Sequence, residues 1–405
     1  MLSAEDNKRL TEVERGTPMG DLLRRYWHPV APVAELEDRP TKQVRVLGED
    51  LVLYKDKRGT YGLLDLHCPH RRANLAYGLV EHTGLRCSYH GWCFDEAGTC
   101  IEQPFEDTLR TDNTYRKKTG TRAYPVRAKA GLLWAYMGPE PVPCLWDWDA
   151  YYARGFKYLS IACVPCNWLQ CQENSVDPVH FEWLHQNWSL SRAEQPYGPK
   201  HSRIGFDEHE FGIVYHRIVS NTDEQHDLWR TGRMCLWPNC LFVGNSFNWN
   251  VPIDDESTLR ICWWLHPLRG TLPYEQSRIP YWYAPVKDSN GEWITEGGSH
   301  QDIVAMVGQG TIADRSCERL GQSDRGIVLL RRIFANDLTR VAAGGDPKGV
   351  LRDESRNHRI SLPYVQAELA APDGIVPAGR IGMVGQPKEI SDELERAWHA
   401  HMDNA

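Results

Sequence analysis

At 405 residues, with 41% hydrophobic and 25% charged side chains, the chain is long enough for two or three domains and reads as globular, not disordered or fibrous. A formal net charge of −8 argues against nucleic acid as a partner and leaves an anionic ligand dependent on local arginines. The polar start MLSAEDNKRL is no secretory signal, and apolar runs such as 131–137 are too short to span a bilayer. Twelve cysteines without a signal then point to a reducing, cytoplasmic setting with no membrane partner.

Ser3 is placed to cap a short helix ending near Gly16, and Thr17-Pro18 opens a second, with Thr at the N-cap and Pro at the first helical position. From about residue 28 the pattern changes to short β-type runs. Residues 43–47 and 51–54 flank the turn Gly48-Glu49-Asp50, and 61–66 follows a turn at 55–59. The pattern continues to about residue 136, and the proline-rich stretch 138–143 marks a boundary. Residues 1–27 are therefore expected as N-terminal helices packing on the C-terminal domain, and 28–143 as a small antiparallel β domain.

Within that β domain, Cys68-x-His70 and Cys87-x-x-His90 stand sixteen residues apart. Mixed Cys/His pairs on two successive turns suit a Rieske [2Fe–2S] cluster, with both thiolates on one iron and both imidazoles on the other. Neutral nitrogens in place of two thiolates raise the potential to roughly −150 to +300 mV. A Cys₂His₂ zinc site would favour C-x₂₋₄-C and H-x₃₋₅-H pairs instead. Cys68 and Cys87 are assigned to the inner iron, His70 and His90 to the outer. His67 and His82 fall outside the spacing.

Beyond the boundary, 144–405 reads as an α+β domain: a helical segment at 167–186, strands at 211–219, 233–243 and 258–265, then helices at 301–321 and 324–338. The last twenty residues pattern as a helix holding Leu394 and Trp398 and ending in a polar tail. In the segment ENSVDPVHFEWLHQ, Asp177 and His180 share a helix face. His180 and His185 do not, being about 140° apart on an ideal helix. Both can reach one metal only through a π-type widening or a break. Two neutral histidines and a carboxylate make the facial triad of non-haem Fe(II) oxygenases, which leaves positions open for O₂ and substrate. Cys163, Cys166 and Cys171 read as buried small hydrophobes.

The stretches GTPMGDLLRRYW, CPHR, YHGW, NWLQ, ENSVDPVH, WLH and QDIVAMVGQG…DRSCERLGQSDRGI together resemble the α-subunits of Rieske ring-hydroxylating oxygenases, most of all the phthalate 4,5-dioxygenase type. The resemblance implies an N-terminal antiparallel β Rieske domain and a C-terminal catalytic domain with an antiparallel sheet flanked by helices. It marks Asp302 as the third iron ligand beside His180 and His185, among the rival carboxylates Glu296, Asp314, Glu318 and Asp324. It places Asn174 next to the iron and makes Asp177 a bridge between His180 and His90 of the adjacent protomer in a head-to-tail homotrimer. A carboxylate accepting from two imidazole N–H groups fixes both tautomers.

The reaction so implied uses O₂ and electrons from a separate NAD(P)H-dependent reductase to hydroxylate or dihydroxylate an aromatic acid. O-demethylation of a methoxylated aromatic acid and alkylamine or betaine monooxygenation are the alternatives. The sequence contains no G-x-G-x-x-G after a strand to serve a nicotinamide cofactor of its own. Two departures stand beside the cluster: Arg72 where the family has glycine, and Cys93 where a basic residue is common. Arg230 and Arg233 are candidates for a substrate carboxylate, and Arg331-Arg332 reads as structural.

Overall fold

The computed structural model describes residues 2–109, 112–268, 274–364 and 383–402. The chain divides into two compact units, Arg24–Val142 and Met1–Leu23 together with Pro143–Ala405.

The smaller unit is built from three antiparallel sheets. Thr41–Val46, Glu49–Lys55, Tyr61–Asp65 and Ala123–Tyr124 form one, and Leu79–Val80, Leu85–Arg86, Cys93–Phe94 and Cys100–Glu102 another. The third pairs Trp27–Pro32 and Val126–Lys129 with Leu132–Tyr136. The first hairpin turns at Leu47-Gly48, with φ of 49° and 77°, one residue earlier than the expected turn. Two consecutive left-handed residues are what a two-residue hairpin with the twist of its strands requires. Val52, Tyr54, Leu64, Leu66, Leu75, Leu85, Trp92 and Phe94 form a core that also contains Cys68 and Cys87.

The larger unit carries an eight-stranded sheet: β1 (Gly155–Val164), β2 (His201–His209), β3 (Gly212–Val219), β4 (Arg233–Leu236), β5 (Cys240–Phe242), β6 (Ser246–Pro252), β7 (Thr258–Pro267) and β8 (Tyr281–Tyr283). Their spatial order is β2-β3-β4-β5-β6-β7-β1-β8, antiparallel except where β8 joins β1. The expected strand at 233–243 is two strands, because Pro238 has no N–H to give the ladder. β1 was absent from the expected pattern. Nearly all of its side chains are buried, so it lacks the polar/apolar alternation that marks a half-exposed strand.

The helices of this unit include α1 (Ala4–Thr11), α2 (Pro18–Leu23), α3 (Trp168–Val176), α4 (Gly298–Val307), α5 (Arg325–Ala342) and α6 (Lys388–Met402), with α1 and α2 packing on each other and on α3 and α5. Ser3 does cap α1, accepting from the Asp6 N–H, but the helix stops at Thr11 because Val13 turns away to bond Asp255. Asn7 joins α1 to Ala313 and Arg315. Phe156, Tyr158, Ala162 and Val164 of β1 and Cys262 of β7 pack on Ile303 and Met306 of α4 and on Leu394 and Trp398 of α6. Each large apolar side chain buried this way contributes about 1.5–3 kcal/mol.

Four expectations need correction. The helix expected over 167–186 breaks at Asp177-Pro178, since a residue before proline is held extended; it resumes as a π-helix, Phe181–Asn187. The helix expected over 301–321 is α4 alone. It closes at Gly308, Gly310 takes a φ of 94°, and 311–321 is irregular. Helix α5 runs past 338 to Ala342. Cys163 is exposed, whereas Cys166 and Cys171 are buried. The polar tail expected after α6 falls on residues 403–405, outside those described. No helix among the described residues is long and apolar enough to cross a membrane.

Candidate functional site

The four residues of the first constellation lie on two congruent loops, each leaving the end of a short strand. In one, the Cys68 N–H donates to the Ala73 carbonyl and the Arg72 N–H to the Cys68 carbonyl, both at 2.9 Å. In the other, Cys87 donates to Trp92 at 2.8 Å and Gly91 to Cys87 at 3.0 Å. Congruent loops aim congruent side chains: both thiols are buried and both imidazoles exposed. The His70 and His90 ring centroids are 4.5 Å apart, Trp92 stacks on His70 at 4.5 Å, and Tyr89 lies 3.8 Å from His90.

Burial pushes the Cys68 thiol up to about 12, with the Cys87 thiol alongside adding to the effect. Two buried thiolates side by side demand a cationic partner, and a metal group is the usual one. Sulfur donors inside and nitrogen donors outside fit a [2Fe–2S] unit with unlike irons. His67 and His82 stand outside this arrangement; His67 forms a bridge with Asn74 and His82 is exposed.

The second constellation converges. One ligand atom each from His180, His185 and Asp302 lies within 4.8 Å of the others. Asp302 Oδ1 is 3.1 Å from His185 Nε2 and 3.5 Å from His180 Nε2. The π-helix makes this possible, because its wider turn brings two imidazoles five residues apart to ring centroids 5.1 Å from each other. Asp302 comes from the interior of α4. Of its rivals, Glu318 pairs with Arg331, Asp314 and Asp324 accept bonds within their own turns, and Glu296 accepts from the Thr295 N–H.

The surroundings orient this triad. Asn174 Nδ2 donates to Asp302 Oδ1 at 3.3 Å. Asp177 accepts the Val179 N–H at 2.8 Å through one oxygen and faces His180 Nδ1 at 3.7 Å through the other. Gln301 Oε1 lies 2.9 Å from His185 Nδ1, while its amide nitrogen donates to Ser189 at 3.3 Å. That anchoring presents the oxygen to the ring, so Nδ1 donates to Gln301 and Nε2 is the nitrogen turned toward Asp302. Arg260, buried in β7, reaches Asp302 Oδ2 at 3.5 Å.

Burial works against ionising Asp302. The His185 hydrogen bond and the charges of His180 and Arg260 outweigh it and hold the carboxyl below its usual range. Burial likewise opposes a charged His185, but Asp302 and Gln301 raise its pKa. One carboxylate and two imidazole nitrogens so gathered suit a divalent metal that keeps free coordination positions.

Arg230 is exposed at the end of the short helix Asp227–Arg230. Arg233 instead lies 5.0 Å from the Phe181 ring, and Arg217 lies 4.6 Å from it. Phe181 is itself 4.5 Å from the His180 ring. Sequence reasoning missed Gln301, Arg260 and Arg217. No spacing rule marks them, and Gln301 is distinguished only by standing next to Asp302.

A family model of the Rieske [2Fe-2S] domain matches residues 26–114. The 5,5'-dehydrodivanillate O-demethylase oxygenase subunit of Sphingobium sp. is 50% identical, over 100% of this chain and 99% of its own. The phthalate 4,5-dioxygenase oxygenase subunit of Pseudomonas putida is 32% identical over 85% of this chain and 88% of its own. Among solved structures, the terminal oxygenase of carbazole 1,9a-dioxygenase from Novosphingobium sp. KA1 shares the fold. Its TM-score is 0.54 at 19% identity, over 81% of this chain and 97% of that one. The chain thus belongs to the Rieske non-haem iron oxygenases, as an oxygenase α-subunit with a [2Fe–2S] cluster and a mononuclear iron.

Proposed function

We propose that this chain is the terminal oxygenase of a system that removes the O-methyl group of a methoxylated aromatic acid. The observation that carries this reading is the 50% identity, along the whole chain, with the O-demethylase subunit. Hydroxylation of a phthalate-like acid, which the sequence resemblance put first, becomes the second reading and is supported by the 32% identity with the phthalate enzyme. The demethylation balances as aryl methyl ether, O₂, two electrons and two protons giving phenol, formaldehyde and water. The electrons come from a partner reductase or ferredoxin.

In this reading His180, His185 and Asp302 hold the iron, and Cys68, His70, Cys87 and His90 hold the cluster. The iron supplies O₂ activation and the cluster supplies electrons one at a time. The protein's own residues then do the positioning. Gln301 keeps the Nε2 of His185 unprotonated, and Asn174 steadies the Asp302 carboxylate. Asp177, with one oxygen turned toward His180, links it to His90 of the partner subunit in a head-to-tail trimer. Arg233 and Arg217, on either strand beside Phe181, receive the substrate carboxylate, which a guanidinium matches with two parallel hydrogen bonds.

The test is turnover with a reductase and a panel of aromatic acids, following O₂ uptake and products together. Formaldehyde released in step with oxygen from a methoxylated acid supports the proposal. A diol from phthalate with no formaldehyde from any methoxylated acid puts the second reading in its place.

A further inference from the structure

Two thiols behind the triad have no part in the reaction just described. Cys166 lies in the turn between β1 and α3, and Cys171 lies in the first half of α3. Both are fully buried, and their sulfurs are 3.7 Å apart, close enough for one S–H to donate to the other. A disulfide needs about 2.05 Å, so the two sulfurs would close by about 1.7 Å.

The neighbourhood ties this pair to the iron site. Asn174, which donates to Asp302, sits three residues further along α3 on the same face as Cys171. Arg260, 3.5 Å from Asp302, also acts on Cys171. The Cys166 hydrogen bond, helped by the Arg260 guanidinium, outweighs the opposing effect of burial and holds the Cys171 thiol below its ordinary range. Next to an oxygen-activating centre, the most frequent stray oxidant is hydrogen peroxide, set free when O₂ is reduced without substrate being oxidised.

We propose that Cys166 and Cys171 form a redox-active dithiol that consumes hydrogen peroxide escaping from the adjacent iron site. The Cys171 sulfur attacks one peroxide oxygen, the O–O bond breaks, and a sulfenic acid and one water result. The Cys166 sulfur then attacks that sulfenic sulfur; the S–S bond forms and the hydroxyl leaves as a second water. Two thiols lose two electrons and two protons, and the peroxide gains both. The link joins the end of β1 to α3, the helix that carries Asn174 and ends at Asp177. This inference takes its source of oxidant from the iron reading, while the dithiol chemistry stands on the sulfur geometry.

The experiment uses the full-length protein with both metal groups in two arms: added hydrogen peroxide, and turnover with reductase and NADH but no aromatic substrate. Denaturation, alkylation and non-reducing peptide mass mapping then read the cysteines. The expected result in both arms is a linked peptide two hydrogens lighter, with two fewer alkylatable thiols per chain, restored by dithiothreitol. Cys163 and Cys317, both exposed, serve as the internal comparison. Full alkylation of Cys166 and Cys171 in both arms, while Cys163 and Cys317 oxidise, overturns the proposal. A link in the peroxide arm alone overturns the iron as the source. A C166S variant should trap Cys171 as a sulfenic or sulfinic acid, and neither readout depends on which aromatic acid the enzyme oxidises.

Discussion

Arg72 holds a φ of 59° at the place where the matching cluster loop has Gly91 at 77°. A side chain in the left-handed region costs about 1–2 kcal/mol, part of which glycine returns as lost backbone freedom. Replacing Arg72 by Gly should therefore stabilise the smaller unit by about 1 kcal/mol. The check is the denaturant midpoint for bleaching of the cluster's visible absorption, and an unchanged or lower midpoint would contradict the strain argument. Gln301 acts through His185, so Gln301→Leu should weaken Fe(II) binding by about 10–100-fold. Iron titration measures this, with the cluster spectrum as an unaffected internal control.

The charges of the triad also set a pH dependence. The lowered Asp302 pKa contributes stability that is complete above about 3.9 and is lost as pH falls through the folded value. The raised His185 pKa contributes stability that is complete below about 6.5 and is lost as pH rises through the folded value. Iron-free protein thus gains most from this pair between about pH 4 and 6.5. Iron held by His185, as proposed, would need the ring neutral, so its binding should displace a proton and tighten with rising pH. The gain in melting temperature on adding Fe(II) should be larger at about pH 8 than at about pH 6. Equal gains would show that no proton is displaced.

Helix α3 illustrates how an element can be held from several sides. Asn167 caps it by accepting the Leu169 N–H at 3.0 Å, and donates to the Thr11 carbonyl at 3.0 Å and the Asp255 carbonyl at 2.6 Å. At its middle, buried Glu173 accepts from Arg315 and Arg331, and Arg331 continues to Glu318. Asn167→Ala removes a cap and strands two carbonyls, which should cost about 2–4 kcal/mol. Chemical denaturation of the purified protein measures it, and a loss under about 0.5 kcal/mol, the range of ordinary surface changes, would mean that water replaces the amide. The π-helix that follows is the element on which the triad depends. Its wider turn lets His180 and His185 face one carboxylate.

For the whole molecule, the proposed trimer makes electron transfer a property of the assembly. Three chains of 46.5 kDa should sediment as one particle. Asp177→Asn should keep cluster and iron contents unchanged while slowing reoxidation of the reduced cluster by O₂ and substrate at least tenfold. Stopped-flow spectroscopy of the cluster reads that rate directly. A wild-type rate in the variant would remove Asp177 from the path, and a monomer in solution would remove the trimer.

Much of this was readable from the amino-acid order alone. The proposed cluster ligands lie within two short loops, so their spacing of Cys68-x-His70 and Cys87-x-x-His90 carries the geometry almost completely. The His180/His185 interval called for either a widened helix or a break, because five residues on a regular turn point the rings apart. What lay beyond the sequence were the partners that come from distant positions. Spacing left Asp302 among several carboxylates and only the resemblance singled it out; the packing of α4 on the π-helix brings it to the two histidines, while Arg260 comes from β7 and Arg217 from β3. Local spacing fixes directions within a turn or two of chain, whereas contacts across more than a hundred residues are decided by which faces of sheet and helix bury each other.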